Sequence, residues 1–419
     1  MVRVNGIDYR KPSRPTVIVC MDGVAPEYLE EAGRAGMAPA FEKFKKEGFY
    51  SVADCVIPSF TNPNNTSIVT GVLPRVHGIA TSGQSFNRKT GQYELICRPE
   101  DVACDTILKA FHENGLKVAA IASKDKLRSF LSKGWQGINI SAEVAHKFEG
   151  DGTQVDEVIE RAVEETSNGT LLEKVEDPDW MYSQKSAHFA LDLAVAVLQG
   201  KGPYVPQLMY VSLTDYIPHR YEAGTEIANQ FIQGIDQRLG EMDRMGCALG
   251  VTSDHGMSSK FNPDGSPDAI WLKDVLESHG IEDCHIVLPC ADKYQGHHGS
   301  LGSAAWIYFD DQGDADKALE VLGSVQGVEE ALSRSDVVER HGVPGEMIGD
   351  VFLLSQKNKV FGTTASEHPN APTYLRSHGG LYEQKVPFVV NLPVSSGAGR
   401  GSEGPLRNFN IVDYAVNKV

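Results

Sequence analysis

The sequence predicts an α/β protein in which a mostly parallel central sheet is flanked by helices, with a smaller α+β insert. Compact β-branched runs, such as Thr16–Cys20 and the run from Cys247 to Thr252, are typical of buried parallel strands. Segments with helical spacing of apolar residues separate these runs, as expected of an alternating α/β chain. The length of 419 residues is long for one domain and indicates two or three structural units.

The composition is that of an ordinary globular protein, with 41% hydrophobic and 23% charged residues. The formal net charge of −17 argues against a nucleic-acid or anionic-membrane partner. No apolar run reaches the roughly 18 residues of a membrane span, and none follows the N-terminal charges as in a signal peptide. Seven cysteines without close pairs predict free thiols and a cytoplasmic location. The oligomeric state stays open, a homodimer included.

The elements of the core follow one another along the chain. Strands are predicted at residues 16–20, 49–56, 116–122, 206–213, 247–252 and 386–391. Helices are predicted at residues 63–70, 105–114, 187–198 and 222–245, with a broken helical pattern at residues 26–48. Residues 141–183 are acidic and polar, and we interpret them as a surface connection with some helix.

The character of the chain changes between residues 258 and 374, where Gly/Pro-rich joints surround short elements. Inside this segment we predict two strands and a helix, at Ser303–Phe309, Val351–Leu354 and Asp314–Gly323. The sequence therefore predicts an α+β cap insert at residues 258–374, inserted into a core formed by residues 1–257 and 375–419. The adjacent His297 and His298 would suit a metal in isolation, but we interpret them as a loop of the insert.

Acidic and imidazole side chains stand just beyond several predicted strands, at the edge where open α/β sheets bind ligands. These residues are Asp22, Asp215, His219, Asp254 and His255. Any one of them alone could be an ordinary turn residue, and the segment from Asp215 to His219 favours an irregular turn because it contains proline. Together with His378, in a glycine-rich loop, they supply three carboxylates and three imidazoles, a ligand set that suits two zinc ions.

A hydroxyl and a group of basic side chains complete the candidate site. Thr61 lies near the start of the helix predicted at residues 63–70, where the helix dipole and free N–H groups favour an anion. An ordinary helix cap is the alternative for this threonine. Lys124, Lys126 and Arg128 follow the predicted strand at 116–122, so they are candidates for contacts with an anion, with a solvated helix start as the alternative.

Local motifs then give a family resemblance that spans almost the whole chain. They are Met21-Asp22-Gly23, Thr61-Asn-Pro-Asn-Asn65, His77-Gly-Ile79, Asp215-x3-His219, Ser253-Asp-His-Gly-Met257 and His378-Gly-Gly380. With these motifs the chain resembles the alkaline phosphatase superfamily, in its nucleotide pyrophosphatase/phosphodiesterase-like branch. The resemblance implies a core of the alkaline phosphatase type and two zinc sites. One zinc would be held by Asp22, Asp254, His255 and the nucleophile Thr61, and the other by Asp215, His219 and His378.

Further residues indicate a narrower likeness within that branch. The branch usually has an asparagine about twenty residues after the nucleophile, whereas this chain has Ser82 there, which argues against diester hydrolysis. The runs from Phe60 to Asn65 and from Ser123 to Lys126 are similar to those of the phosphonoacetate hydrolase family. That likeness implies substrate contacts from Lys124 and Lys126, to which we add Ser82 and Arg128.

The activity implied by this resemblance is hydrolysis of the carbon–phosphorus bond of phosphonoacetate to acetate and phosphate, through a phosphothreonine intermediate. Physical chemistry supports it, because zinc favours ionisation of a hydroxyl near neutral pH. The carboxylate beside the leaving carbon spreads the developing charge, and the lysines stabilise it.

Four alternatives are weighed against this function. A phosphodiesterase or nucleotide pyrophosphatase of the same fold would need an apolar or aromatic slot for a base. A phosphoglycerate mutase-like enzyme normally uses serine and manganese, so Thr61 argues against it. A sulfatase would need a Cys-x-Pro-x-Arg motif, which the sequence lacks. An inactive zinc-dependent ligand-binding protein would keep the metal ligands without needing the nucleophile.

Overall fold

A computed structural model describes residues 1–96, 98–143, 145, 184–200, 204–290, 299–395 and 404–419. Most of the acidic connection predicted at residues 141–183 lies outside the described residues, as do His297 and His298. The elements below therefore belong to the described ranges.

The described strands form one large central sheet, a smaller sheet and several two-stranded pairs. In chain order they are β1 (Val2–Val4), β2 (Ile7–Tyr9), β3 (Thr16–Cys20), β4 (Phe49–Asp54), β5 (Gln84–Asn87), β6 (Gln92–Leu95), β7 (Val118–Ala122), β8 (Ile138–Ser141), β9 (Leu208–Ser212), β10 (Ala248–Thr252), β11 (Ser258–Ser259), β12 (Ala269–Trp271), β13 (Cys284–Val287), β14 (Ala304–Phe309), β15 (Val328–Ser333), β16 (Val351–Ser355), β17 (Val360–Gly362), β18 (Arg376–Ser377) and β19 (Lys385–Val390).

The described α-helices lie mostly between these strands. In chain order they are α1 (Pro26–Arg34), α2 (Pro39–Glu47), α3 (Thr61–Thr70), α4 (Pro74–His77), α5 (Ile107–Glu113), α6 (Asp125–Leu131), α7 (Gln184–Gln199), α8 (Tyr216–Arg220), α9 (Glu226–Arg244), α10 (Leu272–Ser278), α11 (Gln312–Gly323), α12 (Arg334–His341) and α13 (Ile411–Asp413). None of these described helices is long and apolar enough to cross a membrane.

The central sheet has seven strands in the order β4-β19-β10-β3-β9-β7-β8. Strand β19 runs antiparallel to both of its neighbours, while β10, β3, β9, β7 and β8 pair in parallel. Successive residues of a strand point to opposite faces, and here both faces are buried. Val17 and Val19 pack into the apolar core on one face of the sheet, and Ile18 packs into the core on the other. The predicted α/β architecture with a mostly parallel sheet is therefore confirmed.

A second sheet lies within the segment predicted as an insert. Its four strands pair antiparallel in the order β13-β14-β16-β15, and the apolar residues of α11 pack against it. This segment also contacts the core near Ser82, whose amide donates to the carbonyl of Pro289 at 3.1 Å. The small sheet and the central sheet are thus joined at the loop that follows α4.

The segment from Asp215 to His219 is wrongly predicted as an irregular turn. Residues Tyr216–Arg220 form the short helix α8, and the His219 amide donates to the Asp215 carbonyl at 3.0 Å. Pro218 does not interrupt it because the first turn of a helix needs no intrahelical N–H donors. A spacing of four residues on a helix places Asp215 and His219 on the same face.

His77 is a fully buried histidine that links α3 to the loop after α4. The Ile79 amide donates to its Nδ1 at 3.2 Å, so its Nε2–H donates to Ser67 Oγ at 2.8 Å. Burial lowers the pKa of His77 to about 3. The folded protein therefore keeps this imidazole neutral at pH values where the unfolded chain takes up a proton.

We expect His77→Gln to reduce the pH dependence of the unfolding free energy. The stability that His77 contributes is complete above pH 6.5 and is lost as the pH falls towards 3, since only the unfolded state is then protonated. Each such group adds a slope of about 1.4 kcal/mol per pH unit. Urea unfolding at pH 5 and pH 7 measures this pH dependence, and substitution of an exposed histidine, His279→Gln, is the control. An unchanged difference between the two pH values in His77→Gln would contradict this account.

Candidate active site

Four adjacent parallel strands of the central sheet end at the same level. Their last residues, which pair across the sheet, are Thr252 of β10, Cys20 of β3, Ser212 of β9 and Ala122 of β7. The loops that follow carry, in the same order, Asp254, Asp22, Asp215 and Lys124. The register of the sheet thus brings three carboxylates and one ammonium to a common edge, as the sequence predicts for the acidic residues.

The first cluster consists of Asp22, Asp254 and His255, all buried, with potential ligand atoms within 4.8 Å of one another. His255 Nε2 lies 3.3 Å from Asp22 Oδ1 and 3.7 Å from Asp254 Oδ2. Thr61 Oγ1 lies 3.4 Å from the same nitrogen. The four residues named by the family resemblance therefore converge on one point.

The second cluster consists of Asp215, His219 and His378, also buried and with potential ligand atoms within 4.8 Å of one another. His219 Nε2 lies 3.1 Å from Asp215 Oδ2. The two clusters are neighbours, because the rings of His378 and His255 stack with centroids 3.6 Å apart and planes at 7°.

Main-chain carbonyl groups fix the orientation of the three histidines. The Nδ1 atoms of His219, His255 and His378 lie 2.7, 2.9 and 2.9 Å from the carbonyl oxygens of Arg376, Gly256 and Ser59. A carbonyl oxygen only accepts, so each Nδ1 carries a hydrogen and a neutral ring then presents the lone pair of Nε2 to its cluster. Such outer contacts are typical of histidines that bind metals.

The charge of the first cluster also suits a cation. Asp22 Oδ1 is buried and accepts no hydrogen bond from the described residues. Burial and the nearby Asp22 raise the pKa of Asp254 to about 8. Burial would lower the pKa of His255, but Asp254 and Asp22 raise it to about 9. Without a cation the cluster therefore takes up protons, which a bound divalent cation would displace.

Thr61 is the first residue of α3 and does not act as its cap. The residue at the cap position is Phe60, and the helix has no side-chain cap. The alternative of an ordinary helix cap therefore does not describe Thr61, whose hydroxyl lies beside His255 of the first cluster. The position at a helix N-terminus favours an anion beside this hydroxyl.

Lys124 lies between the two clusters. Its Nζ donates to Asp22 Oδ2 at 3.1 Å and to Asp215 Oδ1 at 2.9 Å. The opposite oxygens of these carboxylates, Asp22 Oδ1 and Asp215 Oδ2, face His255 and His219. Burial would lower the pKa of Lys124, but Asp215 and Asp22 raise it above its ordinary value. In both Asp22 and Asp215, one carboxylate oxygen thus accepts from the Lys124 ammonium and the other faces a histidine.

The other predicted substrate contacts lie at different distances from the clusters. Lys126 Nζ donates to the carbonyl of Ser82 at 2.9 Å, and Ser82 Oγ accepts from the amide of Asn62 at 2.9 Å. Both residues therefore belong to the surroundings of Thr61. Arg128 Nε donates to Asp125 on its own helix at 2.6 Å, and no contact among the described residues joins Arg128 to either cluster.

Asn65 is a site residue that the sequence analysis missed. Its Nδ2 donates to Asp254 Oδ2 and to the Thr61 carbonyl, each at 3.0 Å. Its Oδ1 accepts from Tyr210 at 2.6 Å and from Ser212 at 3.0 Å. The available signal was its position four residues after Thr61, on the same face of a helix whose ten residues are all buried although most are polar.

The fold and the two clusters define a metal-competent member of the alkaline phosphatase superfamily. The sequence model of the type I phosphodiesterase/nucleotide pyrophosphatase family matches residues 16–381, so the chain belongs to that family. This match covers the six residues of the two clusters and Thr61.

A particular enzyme of similar structure is phosphonoacetate hydrolase from Sinorhizobium meliloti 1021. Its crystal structure in complex with phosphonoacetate shows 36% sequence identity and a TM-score of 0.90, covering 100% of this chain and 98% of that chain. The same values apply to its complex with phosphonoformate. Murine ectonucleotide pyrophosphatase/phosphodiesterase 5, as an inactive variant in complex with AMP, shares the fold at 14% identity, with a TM-score of 0.65 over 97% of this chain and 96% of that chain.

Local sequence similarity links the chain to larger members of the family. Ectonucleotide pyrophosphatase/phosphodiesterase family member 1 from Homo sapiens is 44% identical over 66 residues, which are 16% of this chain and 7% of that protein. The protein of the same name from Rattus norvegicus is 43% identical over 68 residues, again 7% of its length. The chain therefore matches a small part of the length of these relatives.

We expect Asn65→Ala to weaken metal binding about 10- to 100-fold, as is typical when a residue that orients a ligand is removed. The physical reason is the loss of its hydrogen bond to Asp254 Oδ2. Titration of chelator-treated protein with zinc measures the change. Asn391→Ala is the matched control, since this buried asparagine binds the Leu249 amide at the opposite end of β10. Equal affinities for zinc in the two variants would contradict the role of Asn65.

Proposed function

We propose that the protein is a zinc-dependent phosphonoacetate hydrolase that cleaves the carbon–phosphorus bond to give acetate and phosphate. The observation that carries this proposal is the similarity, over the full chain, to an enzyme of that name solved with phosphonoacetate. Two three-residue clusters, the first of which lies beside the Thr61 hydroxyl, support it. The segment 258–374, which contacts the loop of Ser82, is proposed as the cap of the substrate site.

Two zinc ions are proposed as the resident cofactors. Asp22, Asp254, His255 and Thr61 would hold one ion, and Asp215, His219 and His378 the other. Mixed carboxylate and imidazole ligands suit zinc. Bound zinc would favour ionisation of the Thr61 hydroxyl and stabilise charge on phosphoryl oxygens. Metal analysis of undialysed protein tests this, and well under one zinc per chain would contradict it.

The residues of the chain account for the proposed steps. The Thr61 hydroxyl gives up its proton to solvent, and Oγ1 attacks phosphorus as the bond from phosphorus to carbon breaks, with the electron pair kept by carbon. The adjacent carboxylate delocalises that pair as an enolate, and a proton from solvent then completes acetate. Water hydrolyses the resulting phosphothreonine, which releases phosphate and restores the Thr61 hydroxyl. Ser82, beside the first turn of α3, is proposed to contact a phosphoryl oxygen.

Lys126 and Lys124 are proposed to supply positive charge in different ways. Lys126 is partly exposed near Ser82 and is the better candidate for the substrate carboxylate. Lys124 already binds Asp22 and Asp215, so it orients one ligand of each metal site and has a third N–H for a substrate oxygen. A cytoplasmic location is also proposed, because the six cysteines in the described part of the chain are free thiols.

A nucleotide pyrophosphatase/phosphodiesterase is the second candidate function, and the family match favours it. We expect purified protein to release phosphate from phosphonoacetate and to cleave a nitrophenyl phosphodiester much more slowly. Phosphate release and nitrophenol absorbance measure the two reactions on the same preparation. Faster cleavage of the diester would support the second candidate, and zinc binding without either reaction would indicate a ligand-binding protein.

We expect Thr61→Ala to abolish turnover while most metal binding remains, because only one of seven candidate ligands is lost together with the nucleophile. Thr61→Ser keeps a hydroxyl and should retain partial activity. Phosphate release and zinc content are measured for both variants. Turnover by Thr61→Ala at the wild-type rate would exclude the covalent mechanism.

We expect Lys126→Ala to lower kcat/KM for phosphonoacetate by about 10- to 1,000-fold, the effect of losing one ion pair that the bound substrate shields from solvent. A nitrophenyl phosphonate ester, which lacks the carboxylate, should be affected much less. Lys124→Ala should instead lower kcat/KM for both substrates and weaken zinc binding, because its partners are metal ligands. Lys109→Ala is the control, since this ammonium pairs with Asp105 and Glu113 and with no carboxylate of the clusters. Equal small effects of Lys126→Ala on both substrates would show that Lys126 is a solvated lysine that does not bind the substrate carboxylate.

A further inference from the structure

Lys260 and Glu383 form a completely buried ion pair outside the two clusters. Lys260 Nζ lies 3.0 Å from Glu383 Oε1, and neither side chain is exposed to solvent. Burying two charges is unfavourable unless further hydrogen bonds satisfy them. Neither residue belongs to the ligand set described above, so the pair needs a structural explanation.

Glu383 connects the two loops that carry stacked histidines of different clusters. Its main-chain carbonyl accepts from the amide of Gly256, the residue after His255, at 2.7 Å. Its Oε2 accepts from the amide of Gly380, two residues after His378, at 3.1 Å. Ser258 Oγ donates to its Oε1. A displacement of Glu383 would therefore move the main chain beside one histidine of each cluster.

Lys260 links Glu383 to the segment that contains the second sheet. Its Nζ also donates to the carbonyl of Lys357, between β16 and β17, at 2.6 Å. Its amide donates to the carbonyl of Leu375 at 2.8 Å, three residues before His378. The ammonium thus joins the small sheet to the glutamate that contacts both histidine loops.

We propose that Lys260 and Glu383 are a positioning pair that sets the spacing of His255 and His378 and thereby couples the segment 258–374 to both metal sites. The proposal rests on the metal centre of the proposed function and adds residues that act on it through the main chain. Neither side chain touches the substrate in this proposal. The pair holds the two histidine loops together before a metal binds.

The opposite charges of Lys260 and Glu383 determine which variants of the pair can fold. Glu383→Gln keeps an acceptor for the Gly380 amide but leaves the Lys260 ammonium buried without a counter-charge, and Lys260→Met leaves the carboxylate alone. Loss of one partner of a buried pair is strongly destabilising, whereas replacement of both is often tolerated. The double variant Lys260→Met/Glu383→Gln should therefore fold even where a single variant does not.

The experiment is a zinc titration of chelator-treated protein against a competing chelator, below the unfolding temperature of every variant. We expect Glu383→Gln and the double variant to bind zinc about 10- to 100-fold more weakly than the wild type, as for other residues that orient ligands. At saturating zinc, kcat for phosphonoacetate should fall while KM changes little. Asp236→Asn is the matched control, since this buried carboxylate accepts from the amides of Phe41 and Ala40 and contacts neither cluster.

The outcomes separate this inference from the function on which it rests. Wild-type zinc affinity in the double variant would overturn the positioning role and leave the proposed function intact. The same loss of affinity in Asp236→Asn would also overturn it, because general destabilisation would then explain the effect. A wild-type protein that binds no zinc would overturn the metal centre and the positioning role with it.

Discussion

The common register of four parallel strands is the constraint on which the site depends. Because β10, β3, β9 and β7 end on one line, the next residues of each loop must share a small space at the edge of the sheet. The side chains found there are Asp254, Asp22, Asp215 and Lys124. Three carboxylates so close repel one another, and burial strengthens the repulsion. The three carboxylates therefore require nearby positive charge, and the Lys124 ammonium supplies only part of it.

Lys124 supplies part of this positive charge, and the histidines leave room for a cation that would supply the rest. The ammonium occupies one oxygen of Asp22 and one of Asp215, which leaves the other oxygen of each directed at Nε2 of a histidine. Because the carbonyl groups of the main chain hold the Nδ1 hydrogens, those Nε2 atoms cannot donate while the rings are neutral. A carboxylate oxygen and an imidazole lone pair then face each other, and a cation bound between them would remove this repulsion. The same arrangement explains the raised pKa of His255, whose proton offsets this negative charge.

Local sequence signals predicted the strands, their ends and the acidic residues beyond them, because a β-branched run and the residues that follow it lie within a few positions of the chain. Contacts between distant segments could not be predicted in this way. Asn65 was missed since its partners Tyr210 and Asp254 are far away in the chain. The helix at Asp215 to His219 was missed because proline in a short segment indicates a turn more often than a first helical turn. Residues 258–374 were assigned as an insert from composition, which says nothing about how they connect to the site.

Main-chain contacts hold together the parts of the site that come from the two ends of the chain. Thr61 begins helix α3 and His378 follows the short strand β18, so neither directly follows a strand of the central sheet and the register alone cannot place them. The amide of Ser59 donates to the carbonyl of Gly379 at 3.2 Å, and the Ser59 carbonyl accepts from His378. Gly379 has a φ of 119°, and a Cβ there would lie 2.4 Å from the ring of Phe60. Only glycine allows this close approach, so the segment that precedes Thr61 and the loop of His378 are joined directly through the main chain.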